Sequence, residues 1–284
     1  MSNGKTFILC IGAQKAGTTW LEAQFSKTNF FSNDGIKEYH IFNKLAASSP
    51  QQCKRARKQI KIDPTKVKID LIDKRTAMRL RPELYFEHFD YIYCRDNNVT
   101  HVGDITPDYS ILSKRVFRYI KKGLEDKQFE IKVVFLMRDP VERVWSHLRM
   151  INRIKSERGK ASKVSSEDEF KQLKDFYKSR LCVSRTQYER TCSRIESIFP
   201  KKNIFYGFYE TLFNQVEINR LTDFLEAPQL SPDFGEIVHA SPKQPTTHEG
   251  MDELLKEIQL YYDSTYRWVS KRHSSTIPSQ WKLI

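Results

Sequence analysis

The chain is short of cysteine and has no long apolar run. Its five cysteines, Cys10, Cys53, Cys94, Cys182 and Cys192, are odd in number, scattered, and never spaced Cys-x-x-Cys. Neither a disulfide framework nor a zinc site is indicated, and isolated thiols of this kind are expected as reduced core or surface residues. No apolar stretch approaches the roughly 20 residues of a membrane-spanning helix. The first strand pattern begins at about Thr6, too early for the charged and apolar regions of a signal peptide, so a cytoplasmic protein is expected. No internal repeat is visible.

What is present fits one substantial core, read as a single domain over 1–284. Hydrophobic residues make up 39% of the chain and aromatics 12%, as in an ordinary globular protein. The formal net charge of +13 favours polyanions: nucleic acid, acidic glycans or a multiply charged nucleotide. Lysine and arginine cluster at 54–81 and 149–163, but no module with stacking aromatics accompanies them, so specific nucleic-acid binding is not expected. The plainer reading of the surplus is a solvated basic surface.

The most informative stretch runs from Phe7 to Leu21. Phe7 to Ile11 are apolar and read as a buried strand. Gly12 and Gly17 bracket a tight turn, and Thr18-Thr19 opens a segment with helical spacing. A strand, a small-residue loop and a helix N-terminus together make an anion cradle, because unpaired N–H groups and the helix dipole converge there. The glycine spacing is that of the nucleotide-triphosphate loop GxxxxGK[ST], yet Thr18 stands where that loop has lysine. The only lysine, Lys15, rises from the loop itself. A phosphate-containing donor is therefore favoured over ATP or GTP; the bland alternative is a turn that binds nothing.

Further along, Asn29 to Gly35 is a turn-rich connection, and Ile36 to Phe42 reads as extended, with Glu38 and His40 on one face and Lys37 and Tyr39 opposite. Short helices and loops are expected over 43–76, a one-sided helix over 82–93, a strand near 100–105 and a capped helix over 113–123. Residues 130–137 form the clearest central strand after the first. Asp139 caps a helix that carries Pro140 in its first turn and continues to Ile151. A mobile, charged segment over 155–168 precedes helices at 167–179 and 185–198, a strand at 204–209 and a helix near 214–226. A loop over 227–250 leads to one long amphipathic helix over 251–271. Segments 43–98 and 152–183 are expected as insertions around the cleft. The alternation predicts an α/β fold in three layers, with a mostly parallel sheet between helices.

A second constellation follows the central strand. Arg138 stands at its carboxyl end, where open α/β sheets bind ligands, and Ser146 lies on the next helix, three residues beyond Arg143. An arginine fork with a hydroxyl suits a phosphate monoester. The alternative is an arginine capped by Asp139 and a buried helix serine.

Together, Lys-x-Gly-Thr-Thr after the first strand and Arg-Asp-Pro-x-x-Arg-x-x-Ser about 120 residues later resemble the 5'- and 3'-phosphate motifs of sulfotransferases that use 3'-phosphoadenosine 5'-phosphosulfate (PAPS). Lys37-Glu38-Tyr39-His40-Ile41-Phe42 and Asp104-Ile105-Thr106-Pro107-Asp108-Tyr109 are similar to segments of the glycan-modifying branch and its bacterial relatives. Tyr188 and Phe208 to Leu212 fit the family's later helix and strand. The sequence departs from that branch at Ile105, which replaces a frequent lysine, and at His239 to Lys243, where a Lys-Gly-Arg loop often closes over the nucleotide.

The resemblance implies a P-loop-like sulfotransferase fold and transfer of a sulfuryl group to a hydroxyl or amine, with PAPS as donor, adenosine 3',5'-bisphosphate as product, and no metal. It implies that Lys15, Ala16, Gly17, Thr18, Thr19 and Trp20 hold the 5'-phosphate side, Arg138 and Ser146 the 3'-phosphate, and that Lys243 assists. Glu38 is the expected general base, His40 its rival, and Lys15 meets charge on the leaving oxygen. Lys37, Asp104, Thr106 and Tyr109 are expected near the acceptor, with His101 an outer candidate. A glycan or other metabolite is the expected acceptor, with anionic ones among the candidates, and no membrane span is expected. Two competitors stay open: a P-loop kinase or phosphotransferase, and a non-catalytic protein that binds polyanions.

Overall fold

A computed structural model of the chain describes residues 4–47, 71–159, 164–235 and 248–281. Its centre is a five-stranded sheet, all parallel, in the order β2-β3-β1-β4-β5. The strands are β1 (Lys5–Gly12), β2 (Phe31–Ser32), β3 (His101–Ile105), β4 (Phe129–Met137) and β5 (Ile204–Phe208). Phe7 to Ile11 of β1 are entirely buried, so both faces of the sheet are covered, which is why this strand is a continuous apolar run and not an alternation. Helices flank the sheet, in agreement with the α/β expectation.

On the amino side, α1 (Thr18–Phe25) follows β1, and α2 (Phe42–Ala47), α3 (Leu71–Leu80) and α4 (Glu83–Arg95) precede β3. Residues 83–95 fall within an expected insertion, yet α4 covers the sheet: the Phe89 ring meets Phe7 edge-on at 4.8 Å, and Tyr85 and Ile92 are also fully buried. Next come α5 (Lys114–Glu125), capped by Ser113, and α6 (Pro140–Glu157), where Asp139 accepts from the Glu142 N–H as the sequence predicts. The remaining helices are α7 (Ser166–Phe176), α8 (Arg180–Thr186), α9 (Tyr188–Glu196), α10 (Tyr209–Leu212), α11 (Gln215–Leu225), α12 (Met251–Tyr261) and α13 (Asp263–Arg272).

Several expectations change. Ile36 to Ile41 is irregular, not extended, because Glu38 and His40 both take left-handed backbone, with φ of 51° and 53°. Tyr39 is drawn into the core between them, and its hydroxyl donates to the Asn33 carbonyl at 2.9 Å. Phe31–Ser32, read as part of a turn-rich connection, is a short edge strand on β3. The helix expected over 251–271 breaks at Tyr262 (φ −100°, ψ 15°), whose hydroxyl donates to the Tyr177 carbonyl. The helix expected over 185–198 breaks at Gln187, where ψ is 78°, separating α8 from α9. Cys10, Cys182 and Cys192 are buried free thiols and Cys94 is exposed. Cys53 and Lys243 lie outside the described residues, as does most of the basic segment 54–81.

Candidate active site

The carboxyl ends of β1, β3, β4 and β5 deliver Lys15, Thr106, Arg138 and Tyr209 to one edge of the sheet. The loop after β1 turns sharply. Gly12 has φ of 138°, and a Cβ there would lie 2.8 Å from the Pro107 carbonyl oxygen. Gly17, the N-cap of α1, has φ of 87°, and its Cβ would meet Leu212 Cδ2 at 2.6 Å. Between them Lys15 is itself left-handed, with φ of 72°. The first N–H groups of α1 have no intrahelical acceptor, as at any helix start. Ala16 and Thr18 are buried. Trp20 is buried too, packed against Phe213 at 5.0 Å and stacked on Phe234 at 6.0 Å.

Arg138 reaches this loop. Its guanidinium donates to the Lys15 carbonyl at 3.2 Å and to Glu142 Oε2 at 3.1 Å, and lies 4.3 Å over the Tyr209 ring. Asp139 does not pair with it; that carboxylate caps α6 and accepts from the Tyr266 hydroxyl at 2.7 Å. The main chain at Arg138 is pinned by Tyr188, whose hydroxyl donates to the Arg138 carbonyl at 2.7 Å, and Glu210 Oε1 accepts from the Asp139 N–H at 2.8 Å. Ser146 is half-buried one turn beyond Glu142. Arg143 is wholly buried, with Nη2 3.1 Å from Cys182 Sγ and Nη1 3.5 Å from His147 Nδ1.

Lys15 is thus surrounded by positive charge. Burial, then Arg153, then Arg138 push its ammonium down from 10.5 to about 8, with Glu38 pulling the other way. Glu38 therefore belongs to the same neighbourhood. Its Oε2 lies 2.8 Å from His40 Nε2, while the Asn43 amide donates to His40 Nδ1 at 3.1 Å. That pairing puts the neutral ring's proton on Nε2, directed at Glu38. Beyond it, Asp108 Oδ1 takes both Nε and Nη2 of Arg185 at 3.0 and 2.9 Å.

The Glu38 segment rests on a buried platform. The Ile41 N–H donates to the Tyr109 hydroxyl at 3.2 Å, and Arg75 and Arg79 donate to the carbonyls of Lys37 and His40 at 2.6 and 3.1 Å. Asp104, Thr106 and Tyr109 have no exposed surface. Asp104 accepts from the Tyr85 and Thr106 hydroxyls, and burial raises its carboxyl to about 6 against those bonds. Lys37 is exposed. His101 sits at the opposite end of β3 and bonds the Leu225 carbonyl, away from this edge. Sequence reasoning missed Arg75, Arg79, Arg153, Asp108, Arg185 and the stacking of Tyr209 on Arg138. Only the basic character of 54–81 and 149–163 hinted at three of them.

Such an edge, with a glycine-bracketed loop after the first strand and convergent cations, defines an α/β protein with its site at the carboxyl ends of a parallel sheet. The family model described as "Sulfotransferase domain" matches residues 5–260. The chain belongs to that sulfotransferase family. A solved sulfotransferase from Alicyclobacillus acidocaldarius is similar in fold, with a TM-score of 0.59 at 16% identity over 96% of this chain and 97% of that one. The sulfotransferase domain from the curacin biosynthetic pathway gives a TM-score of 0.50 at 17% identity, covering 97% and 99%. Curated proteins give no significant match.

Proposed function

We propose that the chain transfers a sulfuryl group from PAPS to a hydroxyl or amine by in-line displacement, with Glu38 as general base. The observation that carries this reading is the convergence of Lys15, Arg138 and Glu38 on one sheet edge, with Arg138 bonded to the Lys15 main chain. The donor set fits a bisphosphorylated nucleotide: an ammonium, a guanidinium fork, a hydroxyl and free helix N–H groups, all suited to phosphate oxygens.

Lys15 with the N–H groups of Gly17, Thr18 and Thr19 would hold the 5'-phosphate side. Arg138 and Ser146 would hold the 3'-phosphate, and Tyr209 keeps the Arg138 plane oriented. PAPS supplies, when bound, the activated sulfuryl group. The chain's own work is charge and position. Lys15, partly desolvated, stands where negative charge grows on the leaving oxygen. Glu38 removes the acceptor proton, and the His40 Nε2–H orients the carboxylate that receives it. His40 is here a positioning residue. Asp104, Thr106 and Tyr109 act from beneath, by holding the Glu38 segment in place.

The test is thermal stabilisation by adenosine 3',5'-bisphosphate against ATP with magnesium. A ligand at about 100 times its dissociation constant adds about 2.7 kcal/mol. Stabilisation by the bisphosphate alone, with radiolabelled sulfate transfer to an acceptor, supports the proposal. Stabilisation by ATP–magnesium points to a phosphotransferase, and polyanion affinity without transfer points to a binding protein.

A further inference from the structure

Beyond the residues assigned to the nucleotide, more positive charge is brought to Glu38 than that reading uses. Arg75 and Arg79 lie one turn apart on α3, and their bonds to the carbonyls of Lys37 and His40 bracket Glu38 in the chain. A carbonyl takes a hydrogen bond but neutralises no charge. The Nε of Arg75 is buried and has no partner among the described residues. On α6, Arg153 is close enough to Lys15 to act on its charge. Its carboxylate contact among the described residues is Glu157, largely in solvent and 3.5 Å from Nε, and that buried Nε makes no hydrogen bond there.

Among the described residues the acidic groups nearby are already engaged, Glu22 by the Asn33 amide. Asp108 is taken by Arg185, Asp104 by two hydroxyls, and Glu142 by Arg138. Glu38 faces His40. Cations gathered in a partly desolvated place repel one another, and an arriving anion relieves that cost. Both arginines act on Lys15, Arg138 from the end of β4 and Arg153 from the far part of α6.

Building on the sulfotransferase reading, we infer that the acceptor is itself an anion, with a carboxylate, sulfate or phosphate beside the group that is modified, and that Arg153, with Arg75, supplies the charge that receives it. Guanidinium forks match the oxygens of all three groups. The arrangement selects acidic glycans or acidic small metabolites over neutral alcohols.

The test uses the full chain saturated with adenosine 3',5'-bisphosphate. Acetate, sulfate and phosphate are titrated calorimetrically at constant ionic strength, with glycerol as the neutral control. Wild type should bind at least one anion and not glycerol, and the preferred anion names the group. Arg153→Gln should weaken that binding about tenfold or more, Arg153→Lys should restore part of it, and affinity for the bisphosphate should stay within about twofold in both. The inference falls if no anion binds the loaded wild type, or if Arg153→Gln binds it as well. It also falls if Arg153→Gln instead weakens the bisphosphate tenfold, which would make Arg153 a donor residue. Failure of wild type to bind the bisphosphate at all is a separate result, and sinks the sulfotransferase reading.

Discussion

The guanidinium of Arg138 donates to the main-chain carbonyl of Lys15, 3.2 Å away and 123 residues distant in the chain. The contact exists because β4 pairs directly with β1, so the two strand ends emerge side by side. It ties the backbone of the loop after β1 to the side chain at the end of β4, and Tyr209 closes the stack from β5.

Removing that side chain should therefore strike both ends of the nucleotide. Arg138→Ala is expected to weaken adenosine 3',5'-bisphosphate by about 10- to 100-fold, the worth of one or two charge-assisted bonds. Calorimetric titration measures it. Arg138→Lys should recover little, since an ammonium neither forks nor stacks.

Lys15 must be charged to hold phosphate, and burial, with Arg153 and Arg138 beside it, brings its pKa down to about 8. Affinity for the bisphosphate is expected to be flat below that pH and to fall as pH rises through it. Lys15→Arg should move the fall out of range, because guanidinium stays protonated. Dissociation constants at a series of pH values between 6.5 and 9.5 check this; an unchanged wild-type constant across the range contradicts it.

Glu38→Gln should lower turnover about 10²–10⁴-fold while leaving bisphosphate affinity unchanged, the signature of a lost general base. His40→Ala should cost less, because it removes an orienting bond and not the base. Near-native turnover in Glu38→Gln with loss in His40→Ala would reverse the two roles.

Glu22 is buried against the Asn33 amide, and burial raises its carboxyl from 4.5 to about 7. With the folded pKa above the unfolded one, the folded state binds the extra proton. Stability is lost as pH climbs from about 4.5 to 7, and the full penalty stands above that window. Glu22→Gln keeps the acceptor for Asn33 and removes the titration. The variant should melt a few degrees above wild type at pH 8 and close to it at pH 4, by calorimetry.

Gly17→Ala tests the loop's geometry. Left-handed backbone costs a residue with a Cβ about 1–2 kcal/mol, and the methyl would press on Leu212. A lower melting temperature and weaker bisphosphate binding are expected together.

How much of this was legible beforehand differs from residue to residue. The loop at Gly12 to Thr19, the strand leading to Arg138 and the Asp139 cap are local: a glycine spacing, an apolar run and a capping carboxylate act within a turn or two of themselves. Sequence alone determined these, together with the alternation that makes a parallel α/β sheet. The left-handed path at Glu38 and His40 was not legible, because it answers to Tyr39 burying itself and to Arg75 and Arg79 arriving from another helix. The breaks at Gln187 and Tyr262 likewise serve contacts made far away in sequence. Tertiary structure alone decided which cations share a space, since charges interact through distance and dielectric and not through position along the chain. That is why Arg153, one basic residue among many in the sequence, becomes a neighbour of Lys15 only when the chain is folded.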